Sequence, residues 1–267
     1  RRQRQMCIRD RQITTTMKKI CFVTGATAGF GKAISQQLIT QGHTVIACGR
    51  RADRLEALRA ELGSNLHPLV FDIQSKEAVI EAINQLPSAL KVIDVLINNA
   101  GMAKGLAKAQ AADLDDWEQM ISTNINGLLY VTHQILPGMV ERNRGLIINM
   151  GSTAGTWPYE GANIYGASKA FIRQFSLNLR TDLAGTAVRV TNLEPGLCGG
   201  TEFSHVRFDG DEAKIKALYD KVDFVTPEDI ANIVSWLIAQ PEHLNINTME
   251  LMPVAQSYGG LKVTRKA

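Results

Sequence analysis

The sequence predicts a single α/β domain, a doubly wound parallel sheet with helices on both faces. Three observations lead there. Seven short β-rich runs alternate with helix-length amphipathic segments. A glycine-rich turn joins the first run to the first helix. The chain of 267 residues, the size of one large α/β unit, has no Pro/Gly/Ser-rich linker and no internal repeat. Strands separated by long connections cannot form hairpins, so they pair mostly in parallel, and right-handed crossovers carry helices to both sides.

The strand-like runs are 20–24, 44–48, 67–71, 92–98, 146–151, 188–194 and 248–252. Between them, apolar residues recur at helical spacing over 31–40, 52–62, 76–85, 114–141, 165–183 and 227–239. The stretch 198–226 is long, of mixed polarity and broken by the pairs Gly199, Gly200 and Asp209, Gly210, which predicts a lid or substrate loop. Residues 1–16 lack apolar periodicity, and Met17 opens a strand–turn–helix that needs nothing before it. They are read as a leader outside the domain, non-native or disordered; their Arg-rich, acid-poor character is the mark of a transit peptide as well. The domain is then 17–267.

Composition narrows the function classes. At 45% hydrophobic and 21% charged residues, disordered and fibrous proteins are excluded. No run of about 18 uncharged apolar residues offers a membrane span. Cys7, Cys21, Cys48 and Cys198 share no repeated spacing, so neither a disulfide framework nor a metal site is expected, and the setting is expected to be cytoplasmic. The net charge of +3 conceals an asymmetry: residues 1–19 hold seven Lys/Arg and one Asp, the remainder 22 basic and 25 acidic residues. A mildly acidic body gives no reason to expect nucleic acid or a membrane surface as partner.

Gly25, Thr27, Ala28, Gly29, Phe30 and Gly31 follow the first strand. Glycines let backbone approach a pyrophosphate, and the helix start offers unpaired N–H groups to it, as in a Rossmann-type dinucleotide site. Such a site specific for NAD wants an acid after the second strand to bond the ribose 2′-OH. Here Arg50 and Arg51 stand there, and guanidinium suits the 2′-phosphate of NADP. Asp72, with Ile73 after it, closes the third strand and is read as an acceptor for adenine or as a cap for the next helix. Asn99 and Gly101 close the fourth, at the sheet edge where ligands bind.

Ser152 ends the fifth strand; Tyr165 follows, with Lys169 one helical turn on. A cation beside a phenol favours phenolate, and a Tyr of lowered pKa can exchange a proton with an alcohol or carbonyl while Ser152 holds the same oxygen. A Tyr-x-x-x-Lys pair alone is commonly a surface pair. Together with the glycine turn, the Asn99 segment and Ser152, it resembles the motif set of the short-chain dehydrogenase/reductase family over residues 18–253.

That resemblance implies NADP as cofactor, Tyr165 as acid/base, Lys169 lowering its pKa and bonding the nicotinamide ribose, and Ser152 orienting substrate. It implies Asn124, three residues before Gly127, holding a water that links Lys169 to bulk. Pro195 and Gly196, the backbone at Cys198 and the side chain of Thr201 would contact carboxamide and pyrophosphate. Longer strings, among them TGATAGFG, GSTAGTWPY and NINTMELMPVAQSYGGL, resemble a branch acting on the 3-hydroxyl of small acids (serine, L-allo-threonine, 3-hydroxyisobutyrate, 3-hydroxypropionate) or on semialdehydes such as malonic semialdehyde. Members of that branch form homotetramers, and the resemblance implies the same assembly here. A carboxylate substrate needs a cation, for which Arg207 is the candidate, a lid salt bridge being its alternative. Trp157 and Tyr159 follow Ser152 as pocket walls or as packing. Competing readings are another short-chain reductase, such as a 3-oxoacyl-carrier reductase, and a non-catalytic NADP sensor.

Overall fold

The structure, a computed structural model, describes residues 17–259. Residues 1–16, expected as a leader and including Cys7, lie outside the described residues. Strands β1 (Ile20–Thr24), β2 (Thr44–Gly49), β3 (Leu66–Val70), β4 (Val95–Asn98), β5 (Gly145–Met150), β6 (Val188–Pro195) and β7 (Thr248–Leu251) form one sheet in the order β3-β2-β1-β4-β5-β6-β7. Every pairing is parallel. The chain winds outward from β1 to β3, returns to β4 on the other side of β1, and winds outward again. The reversal between β1 and β4 opens a crevice at the carboxyl ends of those strands.

The interior strands are apolar on both faces because both are covered. Cys21, Val23, Val45, Ala47, Val95, Ile97 and Ile148 point to one side, where Ile34 and Leu38 of α1 (Gly29–Thr40), Leu55 of α2 (Ala52–Leu62) and Ile230 and Val234 of α9 (Pro227–Ala239) meet them. Phe22, Ile46, Leu96 and Ile147 alternate to the other side. There they meet Val79 and Ile83 of α3 (Lys76–Asn84), Val131 and Ile135 of α5 (Leu128–Glu141) and Leu179 of α6 (Asn163–Asp182). Some helices start on a side-chain cap: Ser75 accepts from Ala78 N–H for α3, and Thr226 and Asp229 form a capping box for α9.

Two expected elements differ. The helix expected over 114–141 is α4 (Leu114–Ile121), then a π turn (Ser122–Gly127), then α5. A Cβ on Gly127 would lie 2.7 Å from the Ile73 side chain, so the wide turn passes against the β3 loop only with glycine there. The region 198–226 is more ordered than expected: Cys198 bridges Val225, and α7 (Phe203–Arg207) and α8 (Glu212–Tyr219) lie between them.

Candidate active site

A cleft of about 850 Å³ runs along the carboxyl edge of the sheet, within the range of small-molecule and cofactor sites. It is lined by Gly25, Thr27, Ala28, Gly29, Phe30, Arg50, Arg51, Asp72, Ile73, Asn99, Gly101, Ser152, Tyr165, Lys169, Pro195, Gly196, Cys198, Thr201 and Arg207. Two expected residues, Gly31 and Asn124, stand behind its wall.

The β1–α1 turn is built for close approach. Gly25 and Gly29 have φ of +66° and +50°, and a Cβ on Gly31 would run into the Gly25 carbonyl. The buried Thr24 hydroxyl accepts from Asn99 N–H (3.0 Å) and Ala100 N–H (2.9 Å), and the Asn99 amide donates back to the Thr24 carbonyl (2.9 Å). Asn99 thus ties the β1 and β4 loops together. Ala28, the N-cap of α1, gives the helix no side-chain acceptor, so its first amides remain available to an anion. This glycine cradle and uncapped helix end, next to a group of arginines, fit a phosphorylated dinucleotide.

At the far end of β2 the two arginines part. Arg51 donates to Thr27 Oγ1 (2.9 Å) and pairs with Glu202 (3.1 Å). Arg50 is 65% exposed and lies 3.7 Å from Asp72. Asp72 also accepts from Gln74 N–H (3.0 Å), while Ser75 caps α3, so the capping alternative for Asp72 is corrected. Sequence reasoning missed Arg54, which meets the other Glu202 oxygen at 2.6 Å. Its spacing of one helical turn from Arg51 was the available signal; Glu202 gave none.

At the other end, Ser152, Tyr165 and Lys169 converge on the buried ends of β5 and α6. Tyr165 is 8% and Lys169 5% exposed. Ser152 Oγ accepts from Ala154 N–H (3.2 Å) and donates to the Pro195 carbonyl (3.4 Å), near enough to the Tyr165 hydroxyl to favour its ionised form. Lys169 Nζ donates to the Met150 carbonyl (2.8 Å) and lies 5.8 Å from the Tyr165 ring centre. The phenol departs from the expected lowering: burial pushes Tyr165 up to about 12, and the Ser152 hydrogen bond and the Arg207 charge pull it only part of the way back. Burial also brings Lys169 down to about 8. Desolvation therefore outweighs the mutual effect expected from their spacing.

The Asn124 side chain is engaged within the protein. Its Oδ1 accepts from Met102 N–H (2.8 Å), and its Nδ2 donates to the Met102 carbonyl (2.9 Å) and to Ser168 Oγ (3.0 Å). It braces the π turn against the β4 loop and α6. Cys198 is a half-buried thiol pushed up to about 12 by desolvation, and its carbonyl accepts from Tyr219 O–H. Gln256 Oε1 accepts from Leu197 N–H (2.6 Å) and fills the space a side chain at Gly196 would need.

The lid helix α7 sets Phe203 against Tyr165, ring centres 5.7 Å apart, and aims Arg207 at the same ring, 5.5 Å from its centre. Arg207 donates to the Tyr159 hydroxyl (2.8 Å), yet its buried Nε has no hydrogen-bond partner and no carboxylate pairs with it among the described residues. The salt-bridge alternative for Arg207 is therefore corrected. Trp157 closes the rim, donating to Glu250 (2.8 Å) and packing on Tyr258, which bonds the other Glu250 oxygen (2.6 Å).

A parallel sheet reversing at a glycine turn, with Ser, Tyr and Lys at the neighbouring strand end, defines a dinucleotide-dependent oxidoreductase. The model of the short chain dehydrogenase family matches residues 19–212, and the chain belongs to that family. It is 58% identical over 247 residues to the NADP-dependent 3-hydroxy acid dehydrogenase of Escherichia coli strain K12, covering 92% of this chain and all of that one. It is 51% identical over 251 residues to the serine 3-dehydrogenase of Rhizobium radiobacter, covering 94% and 100%. Among solved structures, the closed form of a serine dehydrogenase complexed with NADP+ matches with a TM-score of 0.91 and 57% identity, over 92% of this chain and all of that one.

Proposed function

We propose that the chain is an NADP-dependent dehydrogenase of small 3-hydroxy acids, which in reverse reduces the corresponding semialdehydes. One observation carries the substrate class. Arg207, with an unsatisfied buried N–H and no acidic partner among the described residues, faces the Ser152–Tyr165 pair across the cleft. A hydroxyl held by Ser152 and Tyr165 leaves the carboxylate of a short acid within reach of that guanidinium. The close relatives, named for 3-hydroxy acids and serine, support the same reading.

In oxidation, Ser152 and Tyr165 hold the substrate oxygen and the Tyr165 oxygen takes its proton. Bound at the glycine turn, NADP supplies the hydride acceptor, or the donor in reverse. Lys169, held on the Met150 carbonyl, orients the ribose and stabilises the ionised phenol. In reduction the protonated phenol, which burial favours, gives its proton to the forming alkoxide. Asn124 acts as a positioning residue through Ser168 on α6.

Arg51 and Thr27 take the 2′-phosphate, with Arg50 turned toward Asp72 and the adenine side. Arg51→Ala is expected to weaken NADP+ selectively, by about 1–2 kcal/mol for a charge-assisted contact partly screened by solvent. Titrating NADPH and NADH separately checks this; equal losses on both would refute it.

The partner is a small acid, and the assembly a cytoplasmic homotetramer. Phe171 is exposed on α6 and stacks on Phe175, a face suited to a second subunit. Light scattering that found an active monomer would rule the tetramer out. The substrate class is tested by NADP+ reduction over serine, L-allo-threonine and 3-hydroxyisobutyrate, beside neutral alcohols and a 3-hydroxyacyl thioester. Activity on the thioester and none on free acids would overturn it.

A further inference from the structure

Glu202 lines the cleft among the arginines, on the segment that leads into the lid helix α7. Its carboxylate spans two arginines, with Oε1 on Arg54 (2.6 Å) and Oε2 on Arg51 (3.1 Å). Those guanidinium groups hold its pKa below the usual carboxylate range, chiefly through the Arg54 hydrogen bond, so it is charged at neutral pH. Arg51 then has both terminal nitrogens committed, one to Glu202 and one to Thr27. The residue follows Thr201, whose side chain packs on Gly29, and it is the N-cap of α7, the helix carrying Phe203 and Arg207.

We propose that Glu202 is a cofactor-selectivity residue that competes with the 2′-phosphate of NADP(H) for Arg51. The inference rests on the reading that Arg51 takes that phosphate. A phosphate gripping the guanidinium end-on, through both terminal nitrogens, meets the Nη1 that Glu202 holds. A carboxylate and a phosphate dianion on one guanidinium also repel each other. The shorter contact to Arg54 gives the Glu202 carboxylate a second anchor when Arg51 is yielded, so that the start of α7 stays near β2. With NAD(H) there is no phosphate to displace it, and the carboxylate stays beside the ribose 2′-hydroxyl as an acceptor. Glu202 therefore lowers the preference for NADP(H) below what the arginines alone would give.

The test is Glu202→Gln, which keeps shape and removes charge, read as dissociation constants for NADPH and NADH by fluorescence titration. Adenosine 2′,5′-bisphosphate serves as a probe that lacks the nicotinamide. NADPH and the bisphosphate are expected to bind roughly 2–5-fold tighter, the scale of one exposed charge contact, while NADH is unchanged or weaker. The gain should shrink in high salt. Unchanged constants, or weakening of NADPH, would overturn the proposal; equal weakening of both cofactors would mean that Glu202 only latches the lid. Arg51→Ala measured in parallel separates the two readings. If it lowers the NADPH preference while Glu202→Gln leaves NADPH no tighter, competition fails and the arginine reading stands. If it leaves the preference unchanged, both fail.

Discussion

Tyr165→Phe is expected to lower kcat by about 10²–10⁴-fold, the usual contribution of a positioned acid or base, while NADPH binds as before. The substitution removes one oxygen from a residue that is 8% exposed, and the ring keeps its packing against Phe203. Ser152 keeps the Ala154 N–H bond at 3.2 Å and the Pro195 carbonyl at 3.4 Å. The site therefore holds its shape while the proton has nowhere to go. In the intact enzyme, oxidation requires the phenol to lose a proton that burial holds up to about 12, so its rate should climb with alkaline pH. Reduction uses the protonated form and should not gain. The variant should lose that difference. Retention of more than about a tenth of kcat would fall short of acid/base catalysis and move the role to another group.

Arg207→Ala should raise KM for serine and 3-hydroxyisobutyrate by a hundredfold or thereabouts, and far less for an uncharged alcohol. Removing one partner of a desolvated charge pair costs about 2–5 kcal/mol, because the remaining charge is stranded. Here the stranded charge is the substrate's own carboxylate. The backbone carbonyl of Arg207, which accepts from Gly105 N–H at 2.9 Å, is unaffected, so the lid keeps that tie. The Tyr159 hydroxyl loses its donor and becomes free to meet water. Equal losses on charged and neutral substrates, measured as kcat/KM, would make Arg207 a brace for Tyr159 and Tyr165.

The strands were legible because alternating and continuous apolar runs report burial directly, and all seven were placed to within one residue at their carboxyl ends. The site residues on β1, β5 and α6 were legible for a related reason: Gly25 to Gly31 are contiguous, and Tyr165 and Lys169 are one helical turn apart. What escaped depends on contacts across long stretches of chain. Glu202 reaches Arg51 over 151 residues, and Trp157 reaches Glu250 over 93. No local pattern marks either pairing. The π turn escaped because its sequence is ordinary for a helix and only the Gly127–Ile73 approach requires it. The pKa of Tyr165 was misjudged because spacing shows which charge is near but not how much water has been removed.

The strand order has a consequence for how the molecule comes together. β1 finds β2 soon after both are made, but its other neighbour, β4, arrives only some seventy residues later, as the register Phe22 to Leu96 shows. Closing that gap draws on chain entropy before any of it is returned as contact. The Thr24–Asn99 knot that shapes the glycine turn can form only after that closure, and the lid must then reach back across most of the chain to meet β2. Parallel sheets with such distant neighbours fold slowly. Because the catalytic edge depends on these distant closures, appearance of activity during refolding is expected to lag behind recovery of helix and sheet.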